Sequence, residues 1–183
     1  MRVGIAGIGG IGSNVARILA QAGLSRIRMV DFDRVEVSNL NRQFYTLSQA
    51  GMRKTESLRQ NLLAISPGMD IRVVDQQVGP GQARDLFADC SILVEGFDCK
   101  ESKKSLVEEW AQTGKPLICA SGIAGEDMET VGIRQMGNIY IVGDFVSDQD
   151  RCVLFPPKIA LVASLMAAIA LNLMKGNQDE FME

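Results

Sequence analysis

Histidine is absent from all 183 residues of the sequence. Any mechanism that uses histidine as a general base, nucleophile or metal ligand is therefore excluded. None of the four cysteines, at positions 90, 99, 119 and 152, belongs to a C-x-x-C pair, so we expect no structural zinc and no thioredoxin-like redox chemistry. An even number of cysteines formally allows disulfides, but an apolar chain of this length does not need them. We expect reduced thiols in a cytoplasmic protein.

An excess of basic residues is also absent. Lys and Arg total 19 against 22 Asp and Glu, which gives a net charge of −3 and predicts no nucleic-acid partner. The 46% hydrophobic and 22% charged composition is that of a globular protein, and the length favours a single domain over residues 1–183. No basic-then-apolar signal precedes the first predicted strand, in agreement with a cytoplasmic location.

No hydrophobic run reaches the length of a membrane span. The segment "IALVASLMAAIALNLM", residues 159–174, has sixteen residues without a charge between Lys158 and Lys175. A span needs about 20 residues, and this segment is interrupted by Ser164 and Asn172. The segment therefore predicts a buried or dimer-interface helix and no membrane partner.

Short apolar segments alternate with helical patterns through most of the chain. Residues 3–6 suit a buried parallel strand, and apolar residues at helical spacing follow them. Further strands are predicted at "RIRMVD", "DIRVVD", "SILVEG" and "PLICAS", with helices over 54–66, near 82–88 and near 102–113. This alternation predicts an α/β fold, a Rossmann-like doubly wound and mainly parallel sheet.

The pattern changes after Gly125. The segment "TVGIRQMGNIYIVGD" predicts a C-terminal antiparallel strand pair about the turn Gly137-Asn138. The long apolar C-terminal helix follows it.

The stretch "GIGGIG" fits G-x-G-x-x-G through Gly7, Gly9 and Gly12, after a strand and at the start of a helix. Glycine lets the backbone approach phosphates, and a helix N-terminus supplies unpaired N–H donors. Asp31 ends the second predicted strand, where such folds place an acid on ribose hydroxyls. The pattern indicates a nucleotide without identifying it, and glycines that serve only packing are the alternative. The standard functional interpretation is an NAD-dependent oxidoreductase, which usually needs a second domain and a proton donor that this sequence lacks.

The segment "VDFDRVEVSNLNRQFY", residues 30–45, distinguishes among nucleotides. A dinucleotide site has no evident use for Arg42 just beyond the ribose acid. An enzyme that attacks the α-phosphate of a triphosphate must stabilise both the transition state and the leaving pyrophosphate with Arg, Lys and Mg²⁺. Arg42, Lys54 and Asp98 supply such a set, with Lys54 at a helix start and Asp98 just past a strand.

Four segments together resemble the ThiF/MoeB/HesA family, whose fold is shared with ubiquitin-activating enzymes. In chain order they are "GIGGIGS", "VDFDRVEVSNLNRQ", "GMRK" and "VEGFDCK", and the resemblance covers roughly residues 1 to 175. The S-N-L-x-R-Q element is specific, whereas the glycine loop alone is a weak signal. Within the family the chain is most similar to the short ThiF-type proteins of thiamine biosynthesis, whose tail also resembles "GDFVSD".

The resemblance implies a single ATP-binding adenylyltransferase domain that adenylates the C-terminal Gly-Gly carboxylate of a small ubiquitin-like, ThiS-like sulfur-carrier protein. It implies ATP and Mg²⁺ as cofactors and a homodimer. The implied catalytic residues are Arg42, Lys54 and Asp98, with Asp98 holding Mg²⁺. The implied nucleotide-binding residues are Gly7, Gly9, Gly10, Gly12, Asp31, Asp33, Ser38, Asn39, Arg42, Gln43, Lys54 and Cys99. Among these, Gly10 and Gly12 would lie under the phosphates.

The sequence departs from the family pattern in three respects. Longer relatives carry two C-x-x-C zinc pairs, which this sequence lacks. Dimeric relatives lend an arginine from an N-terminal helix to the partner's site, whereas this sequence starts almost at its first predicted strand. Some relatives use a crossover-loop cysteine, a role for which Cys152 is a candidate, although a lone cysteine is more often inert. Two other functions stay open: an NAD-dependent oxidoreductase and a non-catalytic module that binds nucleotide or a carrier protein.

Overall fold

A computed structural model describes residues 1–179 of the chain. The strands are β1 (Val3–Ala6), β2 (Arg26–Asp31), β3 (Asp70–Asp75), β4 (Ile92–Glu95), β5 (Leu117–Ala120), β6 (Gly132–Met136) and β7 (Ile139–Gly143). The α-helices are α1 (Gly10–Gln21), α2 (Lys54–Ile65), α3 (Ala83–Leu86), α4 (Lys100–Ala111) and α5 (Pro156–Asp179). The predicted strands and helices are confirmed, with shifts of a few residues at their ends.

The strands form a seven-stranded sheet in the order β3-β2-β1-β4-β5-β7-β6. All neighbours are parallel except β6 and β7, which pair antiparallel. The strand order reverses between β1 and β4, and ligands of open α/β sheets bind at the carboxyl ends of the strands at such a point. The predicted doubly wound sheet with an antiparallel pair is therefore confirmed.

Two hydrophobic cores lie on opposite faces of this sheet. One contains buried residues of α1, α2 and α5, and the other contains buried residues of α3 and α4, including Phe87 and Trp110. Strands β1, β4 and β5 are buried along their whole length because helices cover both faces. This explains why they read as continuous apolar runs.

Helix α5 packs on α1, and its residues Val162, Ala163 and Ala167 are fully buried. By length and composition its segment Pro156–Gly176 is apolar enough to cross a membrane, with a mean hydropathy of 1.8. Of that window, 39% is buried inside the protein, so length and composition alone do not show a membrane span. The burial agrees with the predicted buried or interface helix.

Candidate nucleotide-binding site

A cleft lies at the carboxyl ends of β1, β2 and β4, where the strand order reverses. Most of the predicted catalytic and nucleotide-binding residues line it: Gly7, Gly9, Gly10, Asp31, Asp33, Arg42, Gln43, Lys54, Asp98 and Cys99. The structure does not bring Gly12, Ser38 or Asn39 into the wall of the cleft. We refer to this site below as the cleft.

The glycine turn brings two stretches of backbone together at the base of the cleft. Gly7 has a φ of +83°, and a Cβ at this residue would lie 2.9 Å from the carbonyl of Gly96. The Gly7 N–H donates to the carbonyl of Val30 at 2.9 Å. Only glycine combines this φ with this approach, so Gly7 joins the ends of β1, β2 and β4.

Gly12 has a packing role in this structure. A Cβ at Gly12 would lie 2.0 Å from the Gly7 carbonyl oxygen, so its missing side chain lets α1 pack against the turn. Gly10, by contrast, lines the cleft and has ordinary space around it, since a Cβ there would lie 3.5 Å from a methyl group of Ile159. This division agrees with the general G-x-G-x-x-G pattern, in which the third glycine serves helix–strand packing.

Asp31 is the last residue of β2 and is buried. Its two carboxylate oxygens accept the backbone N–H groups of Ile8 and Asp33, each at 2.8 Å. Burial raises the pKa of Asp31, although these hydrogen bonds and the Lys54 ammonium act in the opposite direction. Each carboxylate oxygen keeps a further lone pair for a hydroxyl donor, so the geometry suits a ribose.

Lys54 begins α2, as predicted, and its side chain is only 6% exposed. Its ammonium forms an ion pair with Asp33 at 2.7 Å, while its backbone N–H donates to the Asp33 carbonyl. The cation is therefore held on the ribose side of the cleft in this structure. A triphosphate would compete with Asp33 for this ammonium.

The polar cluster of residues 37–45 is hydrogen-bonded to side chains of α1. Asn14 donates to the carbonyl of Arg42 at 2.9 Å, and Ser13 accepts the N–H of Phe44 at 3.0 Å. The Arg42 guanidinium donates to the Ser38 carbonyl at 3.0 Å and to the Asn41 side chain at 2.9 Å. The cluster thus positions Arg42 beside the glycine turn.

Ser38 and Asn39 lie in a short 3-10 helix, Val37–Asn39, on the outer side of this cluster. Ser38 is exposed and its hydroxyl donates to Glu36. Gln43 lines the cleft, and its buried amide oxygen accepts no hydrogen bond among the described residues. An amide without a partner in a cleft is an available acceptor for a ligand.

The opposite wall follows β4. Asp98 is exposed at the mouth of the cleft, and its carbonyl accepts a hydrogen bond from the Gln149 amide at 2.9 Å. Cys99 precedes α4 and its thiol donates to Glu101 at 3.1 Å. Within residues 1–179, no group of three or more Cys, Asp or Glu side chains is arranged to hold a metal ion.

Several wall residues were not identified from the sequence. They include Gln76, Gln77 and Val78 after β3, Lys103 of α4, Gln149 and Leu154 before α5, and Ile159 of α5. Sequence position after a strand was a usable signal for residues 76–78, because β3 also ends at this edge. No local pattern marks the others, since they reach the cleft through tertiary packing.

Outside the cleft, a buried ion pair fixes the connection between β7 and α5. Lys158 is 1% exposed and donates to Asp144 and to the Ala124 carbonyl, each at 2.6 Å. Although burial raises it, the pKa of Asp144 is held well below its usual range by the Lys158 ammonium and by backbone N–H groups.

A doubly wound sheet with a glycine turn and a strand-end acid at its switch point defines the Rossmann-like class of proteins. Within that class, the chain belongs to the ThiF family, which it matches over residues 1–183. The family resemblance seen in the sequence is therefore confirmed.

Named relatives share part of their length with this chain. The adenylyltransferase and sulfurtransferase UBA4 of Candida glabrata is 30% identical over 191 residues, covering 98% of this chain and 44% of the relative. The tRNA threonylcarbamoyladenosine dehydratase of Escherichia coli is 32% identical over 124 residues, covering 67% of this chain and 46% of the relative. The chain thus spans less than half the length of these relatives.

Solved structures show the same fold. The E. coli tRNA N6-threonylcarbamoyladenosine dehydratase in complex with AMP superposes with a TM-score of 0.87 at 22% identity, covering 97% of this chain and 87% of that structure. HcgE from Methanothermobacter marburgensis, bound to guanylylpyridinol and ATP, gives a TM-score of 0.80 at 18% identity, with 96% of each chain covered.

Proposed function

We propose that the chain is an ATP-binding adenylyltransferase domain that adenylates the C-terminal Gly-Gly carboxylate of a small ubiquitin-like sulfur-carrier protein. The observation that carries the proposal is the convergence of Arg42, Lys54 and Asp98 on one cleft with the glycine turn and Asp31. Family membership and relatives named as adenylyltransferases support it. All these residues lie within the single domain that we propose for residues 1–183.

In the proposed reaction a carboxylate oxygen of the carrier attacks the α-phosphorus of ATP. An O–P bond forms, the bond between the α-phosphorus and the bridging oxygen breaks, and pyrophosphate leaves with that electron pair. The products are the carrier acyl-adenylate and pyrophosphate. Because both reactants are anions, the step requires cations near the reacting phosphorus and the leaving group.

Arg42 is the residue that we assign to stabilise the negative charge of the transition state and the leaving pyrophosphate. Among the described residues, its guanidinium donates only through Nη1, to Ser38 and Asn41. Its Nη2 and Nε donors are left for phosphate oxygens. Lys54 adds a second cation once the triphosphate draws its ammonium from Asp33, and Asp31 holds the ribose. Gly10 and the N-terminus of α1 complete the phosphate contacts.

Asp98 fits the acid that would hold Mg²⁺ on the nucleotide. Mg²⁺ in nucleotide sites is bound through one or two carboxylates together with substrate phosphates and water, and Asp98 is an exposed carboxylate at the mouth of the cleft. When bound, the ion supplies additional positive charge to the phosphates. Cys99, beside Asp98, contributes its thiol to the cleft wall near the nucleotide.

Thiamine biosynthesis is the pathway that we assign to the carrier, on the similarity of "GDFVSD" to short ThiF-type proteins. A cytoplasmic homodimer completes the proposal. It is supported by α5, whose exposed side presents Ala160, Ser164 and Ala168, small residues that permit close helix packing between two copies.

A carboxylate on a modified tRNA is the second candidate acceptor, because one relative is named a tRNA threonylcarbamoyladenosine dehydratase. The net charge of −3 argues against it, since nucleic-acid binding depends on neutralising phosphates with Lys and Arg.

ATP–pyrophosphate exchange distinguishes these acceptors. Labelled pyrophosphate should enter ATP only when the enzyme is given a carrier that ends in Gly-Gly, and removal of the last two glycines should stop exchange. Exchange supported by tRNA instead would replace the carrier. No exchange with any acceptor would favour the non-catalytic module, and NAD(H) binding unaffected by ATP would favour the oxidoreductase.

A further inference from the structure

A buried ion pair closes the loop that carries Asp98. Glu95 is the last residue of β4 and Lys103 lies in the first turn of α4. The Lys103 ammonium lies 3.2 Å from Glu95 Oε2 and donates to the Ala120 carbonyl at 2.6 Å. The two residues therefore join the ends of the segment that contains Asp98, and they connect it to the carboxyl end of β5.

The carboxylate of Glu95 also shapes this loop from within. Its Oε1 accepts the N–H of Phe97 at 2.7 Å, which turns the chain immediately after the strand. Glu95 is 0% exposed, whereas the Lys103 side chain is 33% exposed and reaches the cleft wall. A fully buried carboxylate needs a cation partner, and Lys103 is the cation that it contacts.

The Lys103 ammonium already has two partners at the carboxyl ends of β4 and β5. Its ammonium contacts a strand-end carbonyl and Glu95, and these two contacts fix its direction. Burial raises the pKa of Glu95, while the Lys103 ammonium and the Phe97 N–H act in the opposite direction and favour the charged carboxylate. This arrangement suits a residue that positions its neighbours rather than one that binds phosphate.

We propose that Glu95 and Lys103 are positioning residues that hold the Gly96–Cys99 loop so that Asp98 faces the metal–nucleotide complex. This inference rests on the proposed function, because it concerns the same nucleotide site. Neither residue belongs to the predicted catalytic or binding set. Partners of this kind affect metal affinity by about 10–100-fold when they orient a ligand.

The test compares ATP binding with and without Mg²⁺ by calorimetry in the full chain. The variants are Lys103→Met, Glu95→Gln and the double variant, with Asp98→Ala as reference. Lys104→Met is the matched control, because Lys104 is the next residue of α4 and its side chain is 77% exposed. AMP binding is measured in each variant, since AMP reports the ribose contact.

Mg²⁺ should strengthen ATP binding to the wild type, and Asp98→Ala should abolish that gain. Lys103→Met should reduce the gain by about tenfold or more, with AMP affinity and the Lys104→Met control unchanged. The double variant carries no unpaired buried charge, so it should fold even if Lys103→Met does not. Its loss of the Mg²⁺ gain should not exceed that of Lys103→Met, because the effects of residues in one network are not additive.

Two results would overturn the inference. One is a folded double variant with the full Mg²⁺ gain. The other is a Lys103→Met variant that binds ATP more weakly by the same factor in EDTA and in Mg²⁺, together with a Glu95→Gln variant that binds ATP as the wild type does. That result would make Lys103 a direct phosphate ligand. Carrier-dependent exchange is a separate measurement, so wild type with a normal Mg²⁺ gain but no exchange would refute the proposed function alone.

Discussion

Gly12→Ala should unfold or severely destabilise the protein, whereas Gly10→Ala, two residues earlier in the same helix, should not. A Cβ at Gly12 lies 2.0 Å from the Gly7 oxygen and 3.0 Å from its carbonyl carbon. The Gly7 turn is itself fixed by its hydrogen bond to Val30, so the clash has no side chain that can rotate away. We expect a loss of about 3 kcal/mol or more, the upper range for overpacked sites, from a total of roughly 5–15 kcal/mol.

At Gly10 the nearest atom to a Cβ is a methyl group of Ile159 at 3.5 Å, an ordinary contact. Gly10 is the first residue of α1, where the added methyl group meets no clash, so this variant should be as stable as the wild type. Urea unfolding followed by circular dichroism measures both. Gly12→Ala within about 1 kcal/mol of wild type, the ordinary size of a mutational effect, would refute the packing role of Gly12.

Three further predictions concern other parts of the molecule. Asp31→Ala should weaken ATP and AMP to the same degree, because both carry the same ribose; calorimetry that shows unchanged AMP affinity would remove this assignment. Lys158→Met should cost about 3–5 kcal/mol, as for other broken buried pairs. Because the folded protein holds the pKa of Asp144 below its ordinary value, the pair's contribution is present above about pH 4 and is lost as the pH falls toward the folded pKa. Urea midpoints should therefore fall more steeply below pH 4 in wild type than in the variant. Finally, maleimide should label Cys99 in the folded protein, and ATP should protect this thiol. Cys90, whose pKa is raised to about 12 by burial, should react only after unfolding. Equal labelling of the two thiols in the native protein would count against this prediction.

The sheet was predictable because each part of its pattern is local. Continuous apolar runs such as residues 3–6 arise where helices cover both faces of a parallel strand. Gly7 and Asp31 were predictable for the same reason, since a glycine turn and a strand-end acid stand at fixed positions relative to β1 and β2. Lys54 was correctly placed at a helix start by the pattern of the residues that follow it.

The buried ion pairs were not predictable from the sequence. Lys103 lies in "CKESKK", a segment that indicates a solvated helix start, and only the placement of α4 against β4 brings it to Glu95. The pairing of Lys158 with Asp144 likewise depends on how α5 returns to the sheet. Ser38 shows the reverse case: its motif is specific, but the 3-10 helix turns its hydroxyl outward to Glu36.

The most direct test of the proposed adenylation is the mass of the carrier after incubation with the enzyme, ATP and Mg²⁺. The carrier should gain one AMP at its C-terminal glycine, with pyrophosphate released in equal amount. Arg42→Ala should reduce the rate by about 10²-fold or more, the scale of losing one electrostatic stabiliser, and AMP binding should persist. Arg34→Ala is the control, because Arg34 is exposed on the neighbouring loop and does not line the cleft. A carrier that stays unmodified, or one that is adenylated as fast by Arg42→Ala as by wild type, would contradict the account.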